Sequence, residues 1–306
     1  MTERPDTPEM TNPRAERVAR VRGLSGRSAR SRHRQFLVEG PQGVREAVRH
    51  VPAQVRDVYL TPDAAVRHPE IVDAARAGGR YLHTASSEVL RAMSTDAQGV
   101  LAVLDAAGPT TSAGLADLAT TNDGAGPRLV AVLAQVSDPG NAGAVIRAAD
   151  AAGADAVVLA AGSVEVLNPK VVRSTAGSLF HLPVVTGAGL EETLAALRRP
   201  GTGAPVVLAA DGAGEWDLDD LLDRSDGLAS VGAAELSATA LVAPDLGAPT
   251  VWVFGNEAHG LSAAERGLCD AAVRVPVHGR AESLNLATAA TVCLYASARA
   301  QRRTRP

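Results

Sequence analysis

Three short segments of this 306-residue chain carry the polar residues that chemistry needs. They are Asp138-Pro139-Gly140-Asn141 leading on to Arg147, Gly255-Asn256-Glu257 leading on to Gly260 and Ser262, and Glu282-Ser283-Leu284-Asn285. Each puts small and polar residues where a strand should end and a helix begin, the place where open α/β sheets bind ligands. Asn141 has the side chain of a helix N-cap, and the free amides of a first helical turn can face an anion. Arg147 would sit in a helix of Ala, Val and Ile, where a guanidinium calls for a specific partner or for a solvent-facing position. Gly255 permits close approach of a ligand or an unusual backbone angle. Glu257 can anchor a loop by accepting backbone hydrogen bonds, or pair with an arginine such as Arg147. Ser262 and Ser283 suit N-caps. Taken alone, each segment also reads as a plain strand-turn-helix joint.

The elements that must position these residues are legible from periodicity. After about residue 128, strand-like blocks alternate with helical ones: Leu129 to Leu133, Ala142 to Ala152, Ala156 to Leu159, Pro169 to Thr175, Val184 to Val185, Leu190 to Arg198 and Val206 to Ala209. The series closes with Thr250 to Phe254, Ala263 to Cys269, Val273 to Val275 and a long helix from about Leu284 to Gln301. Such alternation predicts a mainly parallel sheet covered on both faces. The stretch from Ser225 to Ala248 has little periodicity and reads as an inserted loop. Upstream, Gln35 to Val38, Val55 to Leu60 and Gly99 to Leu104 read as strands, with helices at Val44 to His50 and Ala65 to Ala77. The division expected is a disordered tail over residues 1–13, a first domain over 14–107, a linker over 108–127 with a short helix near Leu115 to Ala119, and a second domain over 128–306.

Bulk properties bound the rest. With 46% hydrophobic residues the chain can build true cores. Its apolar runs fall far short of the roughly 18 to 20 residues that span a bilayer, and the first thirteen residues lack a signal-peptide pattern, so the expectation is a cytoplasmic protein with no membrane partner. Cys269 and Cys293 have no partner at metal-ligand spacing and read as reduced thiols, and no metal is expected. The net charge is −4, yet eight arginines (14, 17, 20, 22, 27, 30, 32 and 34) cluster near the start with only Glu16 opposing them. That cluster suits phosphate contacts with RNA, or a solvated basic segment.

Together the three segments resemble the signature of the SpoU (TrmH) type of SPOUT RNA methyltransferase, in order, spacing and identity, over roughly Leu129 to Ala298. Asn168-Pro169-Lys170 through Gly177 is similar to a further segment of that family, and Arg34 to Gly40 resembles the opening of the small ribosomal-protein-like αβα domain that many members carry. The resemblance implies an α/β fold whose SPOUT-type parallel sheet holds a deep trefoil knot, behind that small domain. It implies S-adenosylmethionine as methyl donor, held mainly by main chain at positions matching Gly255, Val275 and Leu284. Asn141, Arg147, Glu257, Ser283 and Asn285 match catalytic or ribose-positioning residues. The partners implied are RNA, with ribosomal favoured over transfer RNA by the N-terminal domain, and a second copy of the chain. For the homodimer contact, the small-residue face Ala287, Ala290, Leu294 and Ala298 is one candidate, and packing inside its own domain is the alternative for that face.

The reaction implied is in-line attack of a ribose 2′-oxygen on the sulfonium methyl, so catalysis is positioning plus removal of the hydroxyl proton. Because a guanidinium stays protonated, Arg147 is expected to hold phosphate or ribose and stabilise developing oxygen charge. A non-enzymatic RNA-binding module is the alternative reading. A nicotinamide-dependent oxidoreductase is disfavoured, since no Gly-x-Gly-x-x-Gly follows the first strand of the second domain.

Overall fold

Near its start the chain pairs with the body of the protein. The Met10 N–H donates to Thr84 O, and the Ser86 N–H to Met10 O, both at 2.9 Å. The structure, a computed structural model, describes residues 9–107, 114–118, 121–122, 125–198, 204–225 and 242–303. The tail expected over 1–13 is therefore corrected for residues 9–13, and residues 1–8 lie outside the described ones.

The arginine-rich stretch folds into α1 (Glu16–Gly23) and α2 (Arg27–His33), which bury Val18, Val21 and Arg30. Next come β1 (Gln35–Glu39), α3 (Pro41–His50), β2 (Val55–Leu60), α4 (Pro62–Arg67) and α5 (Pro69–Ala77). The single helix expected over 65–77 is two, because Pro69 cannot continue a hydrogen-bonded turn and pushes His68 out of the helical region. β3 (Tyr81–Thr84), α6 (Ser87–Met93) and β4 (Val100–Asp105) complete a four-stranded sheet of order β1-β4-β2-β3. Its β4 is antiparallel to both neighbours, whereas β2 and β3 run parallel. Leu37, Tyr59 and Leu101 pack there against Val89, Leu90 and Met93 of α6 and Val18 of α1.

After the short helix α7 (Leu115–Leu118), a second sheet begins with β5 (Leu129–Leu133), α8 (Pro139–Ala152) and β6 (Ala156–Leu159). The chain then leaves this sheet. Residues 165–181, including α9 (Pro169–Ser174), group with residues 1–112 in one compact unit, while 113–164 and 182–306 form the other. The simple division expected from sequence misses this excursion, which ion pairs of Arg30 and Arg173 hold. Glu165 receives Arg30 in a bidentate pair at 2.9 and 2.6 Å, and Arg173 reaches Glu39 at 2.9 Å and Asp96 at 2.7 Å.

The second unit resumes with β7 (Val184–Thr186), α10 (Leu190–Leu197), β8 (Val206–Ala210), β9 (Trp216–Asp217) and α11 (Leu218–Ser225). It ends with β10 (Thr250–Phe254), α12 (Ala263–Arg266), β11 (Ala271–Arg274) and α13 (Leu286–Arg303). Most of the expected 225–248 excursion lies outside the described residues. The sheet order is β7-β6-β5-β10-β8-β11-β9, with every pairing parallel. All residues of β5 and β10 are buried, as apolar strands covered on both faces must be. Helix α13 packs against α8, β5 and β10, and the fully buried Trp252 donates its indole N–H to Ser297 Oγ at 2.9 Å. Ala290, Leu294 and Ala298 are buried in this packing, so that face of α13 serves its own domain and not a second copy. No helix among the described residues is long and apolar enough to cross a membrane.

Candidate active site

Strand order changes direction beside β5. From β5 the chain moves one way to β6 and β7, then crosses over to β8, and β10 later fills the gap between them. The carboxyl ends of β5 and β10 therefore meet at a topological switch point, where α/β sheets open a crevice for ligands.

Helix α8 starts earlier than Asn141 suggests. Pro139 takes its first position, suited to a residue with no N–H, and Asp138 is the N-cap, accepting the Asn141 N–H at 2.7 Å. This corrects the expected cap and releases the Asn141 side chain. Its amide Nδ2 donates to Glu257 Oε1 at 3.3 Å, and its Oδ1 accepts from Asn285 Nδ2 at 2.9 Å. Asn285 Oδ1 in turn accepts the N–H groups of Ala287 and Thr288, at 2.9 and 3.3 Å. Asn285, and not Ser283, thus caps α13, its Oδ1 serving the helix while its Nδ2 serves Asn141. Ser283 is exposed and makes no hydrogen bond among the described residues.

Glu257 takes the loop-anchoring role. Its carboxylate also accepts from Ser137 N–H and Ser137 Oγ, each at 3.2 Å, and from Asp138 N–H at 3.0 Å. Partial burial acts to raise its pKa. The donors outweigh this: its own backbone N–H, those of Asp138 and Ser137, and the Asn141 amide hold it below the ordinary carboxylate range. The charged form therefore stabilises the loop above the unfolded-state carboxylate pKa, and that contribution is lost only as pH falls through the lowered value. Replacing Glu257 with Gln turns one acceptor into an N–H₂ group facing donors. The expected result is at least about a tenfold loss of the activity that the resemblance implies, from one or more unmet hydrogen bonds worth roughly 1–3 kcal/mol each. Steady-state rates for Glu257→Gln, with folding checked by circular dichroism, measure it; unchanged rates would remove the loop anchor from function.

Sequence reasoning left out Gln135 and named Asn256 in its segment without giving it a role. Asn256 Nδ2 donates to Gln135 O at 2.8 Å, while Gln135 Nε2 donates to Glu265 Oε1 at 2.8 Å. Gln135 sits at φ 55°, in the left-handed region that side chains other than Gly rarely adopt. Position was the only available signal: Gln135 directly follows the apolar run of β5. Asn256 and Gly260 exchange backbone hydrogen bonds at 3.1 and 2.8 Å, closing a tight loop over Gly255. Gly255 is buried, and a Cβ there would overlap the backbone of Gly260 and Leu261, so glycine is required by close approach. Ser262 caps α12 through a capping box with Glu265, as its position predicts.

Arg147 is not drawn into this network. Six residues beyond Asn141, it lies about 9 Å further along α8 by helix rise, exposed and without an ion pair or side-chain hydrogen bond among the described residues. The two cysteines are inert for a plain reason. Burial pushes the Cys269 thiol up to about 11 and the Cys293 thiol up to about 12, so neither is a thiolate at neutral pH.

Residues 128–295 match the SpoU rRNA methylase family, and residues 37–110 match the RNA 2′-O ribose methyltransferase substrate-binding family. The chain belongs to the SpoU rRNA methylase family. It is accordingly an RNA 2′-O-ribose methyltransferase. It is 31% identical to the 23S rRNA (uridine(2479)-2′-O)-methyltransferase of Streptomyces viridochromogenes, over 95% of this chain and 96% of that one. Against the 23S rRNA (guanosine-2′-O-)-methyltransferase RlmB of Bordetella pertussis the figures are 29% identity, 86% and 96%. The crystal structure of the SpoU methyltransferase AviRb from Streptomyces viridochromogenes, in complex with the cofactor AdoMet, matches with a TM-score of 0.73 at 30% identity, covering 95% of this chain and 100% of that one. An AdoMet-bound rRNA methyltransferase from Sinorhizobium meliloti, 24% identical, shares the fold with a TM-score of 0.71 over 98% of this chain and 99% of that one.

Proposed function

We propose that this SpoU enzyme methylates a ribose 2′-hydroxyl of large-subunit ribosomal RNA. The observation that carries the reading is the hydrogen-bonded series Asn285, Asn141, Glu257, which joins all three polar segments at the carboxyl ends of β5 and β10. The kind of RNA follows from its similarity to 23S rRNA methyltransferases along nearly its whole length.

S-adenosylmethionine supplies an electrophilic methyl group. The residues present suit such a ligand. Gly255 brings bare backbone to the crevice, Val275 is half-buried just past β11, and the following loop leaves Val277 and Leu284 exposed at 40% and 37%, apolar surface that a ligand can cover. A C-terminal knot is part of this reading, supported by the placement of the late strand β10 between β5 and β8.

The remaining residues position the nucleotide. Asn141 and Asn285, fixed by each other, present a rigid polar edge, and rigidity is what in-line transfer needs. Arg147 holds a phosphate or ribose oxygen and stabilises the charge that develops as the 2′-hydroxyl loses its proton. Ser283, exposed beside Leu284, orients the nucleotide or the loop.

The enzyme acts as a homodimer through the exposed stripes of α8 and α13. Val292 and Tyr295 are 40% and 48% exposed, and the Tyr295 hydroxyl donates to Ala151 O at 3.4 Å, so these residues adjoin the stripe Ala144, Arg147, Ala151. Arg147 on this surface can serve the partner's pocket. In the first unit, a cavity of about 380 Å³ lined by Arg17, Arg20, Arg56 and Arg80 beside Asp57, Asp105 and Tyr81 offers guanidinium groups, two of them paired to those carboxylates, and an aromatic ring for RNA.

Mapping 2′-O-methyl nucleotides in RNA from cells with and without the gene tests the reading. One large-subunit site should disappear with the gene and return when the purified enzyme and S-adenosylmethionine are added to that RNA. Loss of a transfer-RNA site instead would overturn the choice of substrate. Light scattering should give twice the chain mass, and an active monomer would overturn the dimer.

A further inference from the structure

Three residues outside the candidate active site converge in a way the methyl-transfer chemistry does not use. Glu46 and His50 lie one turn apart on α3 and so share a helix face. His181 ends the excursion that joins the first unit. Glu46 Oε2 stands 3.2 Å from His50 Nε2 and 3.3 Å from His181 Nε2. The two imidazole rings meet edge to face with centroids 4.6 Å apart, and the possible ligand atoms of the three residues all fall within 4.8 Å of one another.

A tetrahedral zinc ion bound at about 2.0–2.2 Å sets its ligand atoms roughly 3.3–3.5 Å apart. Both nitrogen-oxygen separations are already near that value, and the two ring nitrogens, within 4.8 Å of each other, need only close to the same spacing. The donor set decides the class of ion. Two imidazoles with one carboxylate suit Zn²⁺ and its first-row neighbours, whereas Ca²⁺ and Mg²⁺ take oxygen ligands.

The backbone prepares the site. Gly177 has φ 103°, and a Cβ at that position would overlap the aliphatic stem of Glu46. Glycine thus lets the excursion lie directly on Glu46 and fix where its carboxylate points. Arg30 and Glu165 clasp the start of the excursion, and Arg173 with Glu39 and Asp96 its middle. His181 is placed to clasp its end.

We propose that Glu46, His50 and His181 form a structural zinc site that fastens the end of the 165–181 excursion to α3, with water in the fourth position. The test is titration of the untagged, chelator-treated full-length chain with Co²⁺, read by visible absorption, followed by displacement with Zn²⁺. One equivalent of Co²⁺ should give a four-coordinate spectrum that Zn²⁺ abolishes and excess Mg²⁺ does not, and Zn²⁺ should raise the unfolding temperature of the protein. His50→Ala and His181→Ala should each weaken binding by more than about tenfold, since losing a ligand costs more than losing the outer partners that already cost 10–100-fold. Gly177→Ala, which displaces Glu46, should weaken it as well. Circular dichroism of the metal-free variants verifies folding, and Glu46→Gln replaces any that fails. No spectrum at millimolar Co²⁺, or unchanged affinity in the folded variants, would overturn the proposal.

Discussion

Arg147→Ala should lower the turnover number for methyl transfer by about 10²–10³-fold, the usual cost of deleting a group that stabilises developing oxygen charge, and leave the fold untouched. Both halves follow from the same observation. Arg147 is exposed and unpaired among the described residues, so truncation strands no buried partner and opens no cavity. Its effect on stability should stay within about 0.5 kcal/mol, as for other surface substitutions without partners. A guanidinium left unneutralised in an alanine-rich helix has nothing to gain from its own domain, which points to RNA or a second subunit as its partner. Asn285→Ala should also suppress transfer, but it removes the cap of α13 and the support of Asn141, so it should cost roughly 1 kcal/mol of stability as well. Single-turnover rates at saturating RNA and S-adenosylmethionine, beside urea unfolding, separate the two. If the proteins are dimers with shared sites, mixing Arg147→Ala with Asn285→Ala should restore activity in the heterodimer. Near-normal turnover by Arg147→Ala would remove that arginine from the mechanism.

Arg30→Ala should destabilise the first unit by about 3 kcal/mol, the low end of the range for breaking a buried ion pair. The Arg30 side chain is 4% exposed, and besides its two bonds to Glu165 it donates to Leu24 O at 3.0 Å and Ser25 O at 2.7 Å. Glu165 keeps 27% of its side chain exposed, so water relieves part of the loss and the upper end of the range is out of reach. Lysine cannot restore the bidentate geometry, and Arg30→Lys should recover only part of the stability. The contrast lies with its neighbours. Arg22, Arg32 and Arg34 are exposed, and neutralising all three should leave stability alone while weakening RNA binding. The slope of log affinity against log salt should become shallower by up to about 2, as fewer counterions are released. Urea denaturation and RNA binding at several salt concentrations measure both. Equal effects of Arg30 and its neighbours on the salt slope would return Arg30 to the RNA-binding surface.

Arg30 also shows where sequence reading stops. In the chain it is one of eight arginines in a basic run, with nothing to set it apart. Its partner Glu165 is 135 positions away, beyond the first two strands of the second sheet. Local composition measures charge density but not pairing, and pairing decides whether an arginine faces RNA or the interior. The same limit applies to α13. Spacing alone shows that Ala287, Ala290, Leu294 and Ala298 recur on one helix face, yet only the packing of α8, β5 and β10 shows that most of this face is already covered.

Elements buried on both faces were the most readable. Leu129 to Leu133 and Val251 to Phe254 are continuous apolar runs, because parallel strands inside a covered sheet have no solvent side to mark with polar residues. By contrast, β3 and α6 went unassigned: Tyr81-Leu82-His83-Thr84 is a four-residue edge strand with one buried residue, too short and too mixed to show a period.

From sequence alone come the α/β class of the second unit, the three polar segments, the family they resemble and the glycine at 255, since each is written in local residue order and in the steric demands of a turn. The cap of α8 is a local contact, Asp138 to the Asn141 N–H three residues on. Tertiary structure alone decided that the Asn141 side chain joins Glu257 to Asn285, and that residues 165–181 leave one unit for the other. The physical reason is common to both. A side chain with several possible hydrogen-bond or ion-pair partners takes the one that folding brings within about 3 Å, and chain segments more than a hundred residues apart supply those partners here.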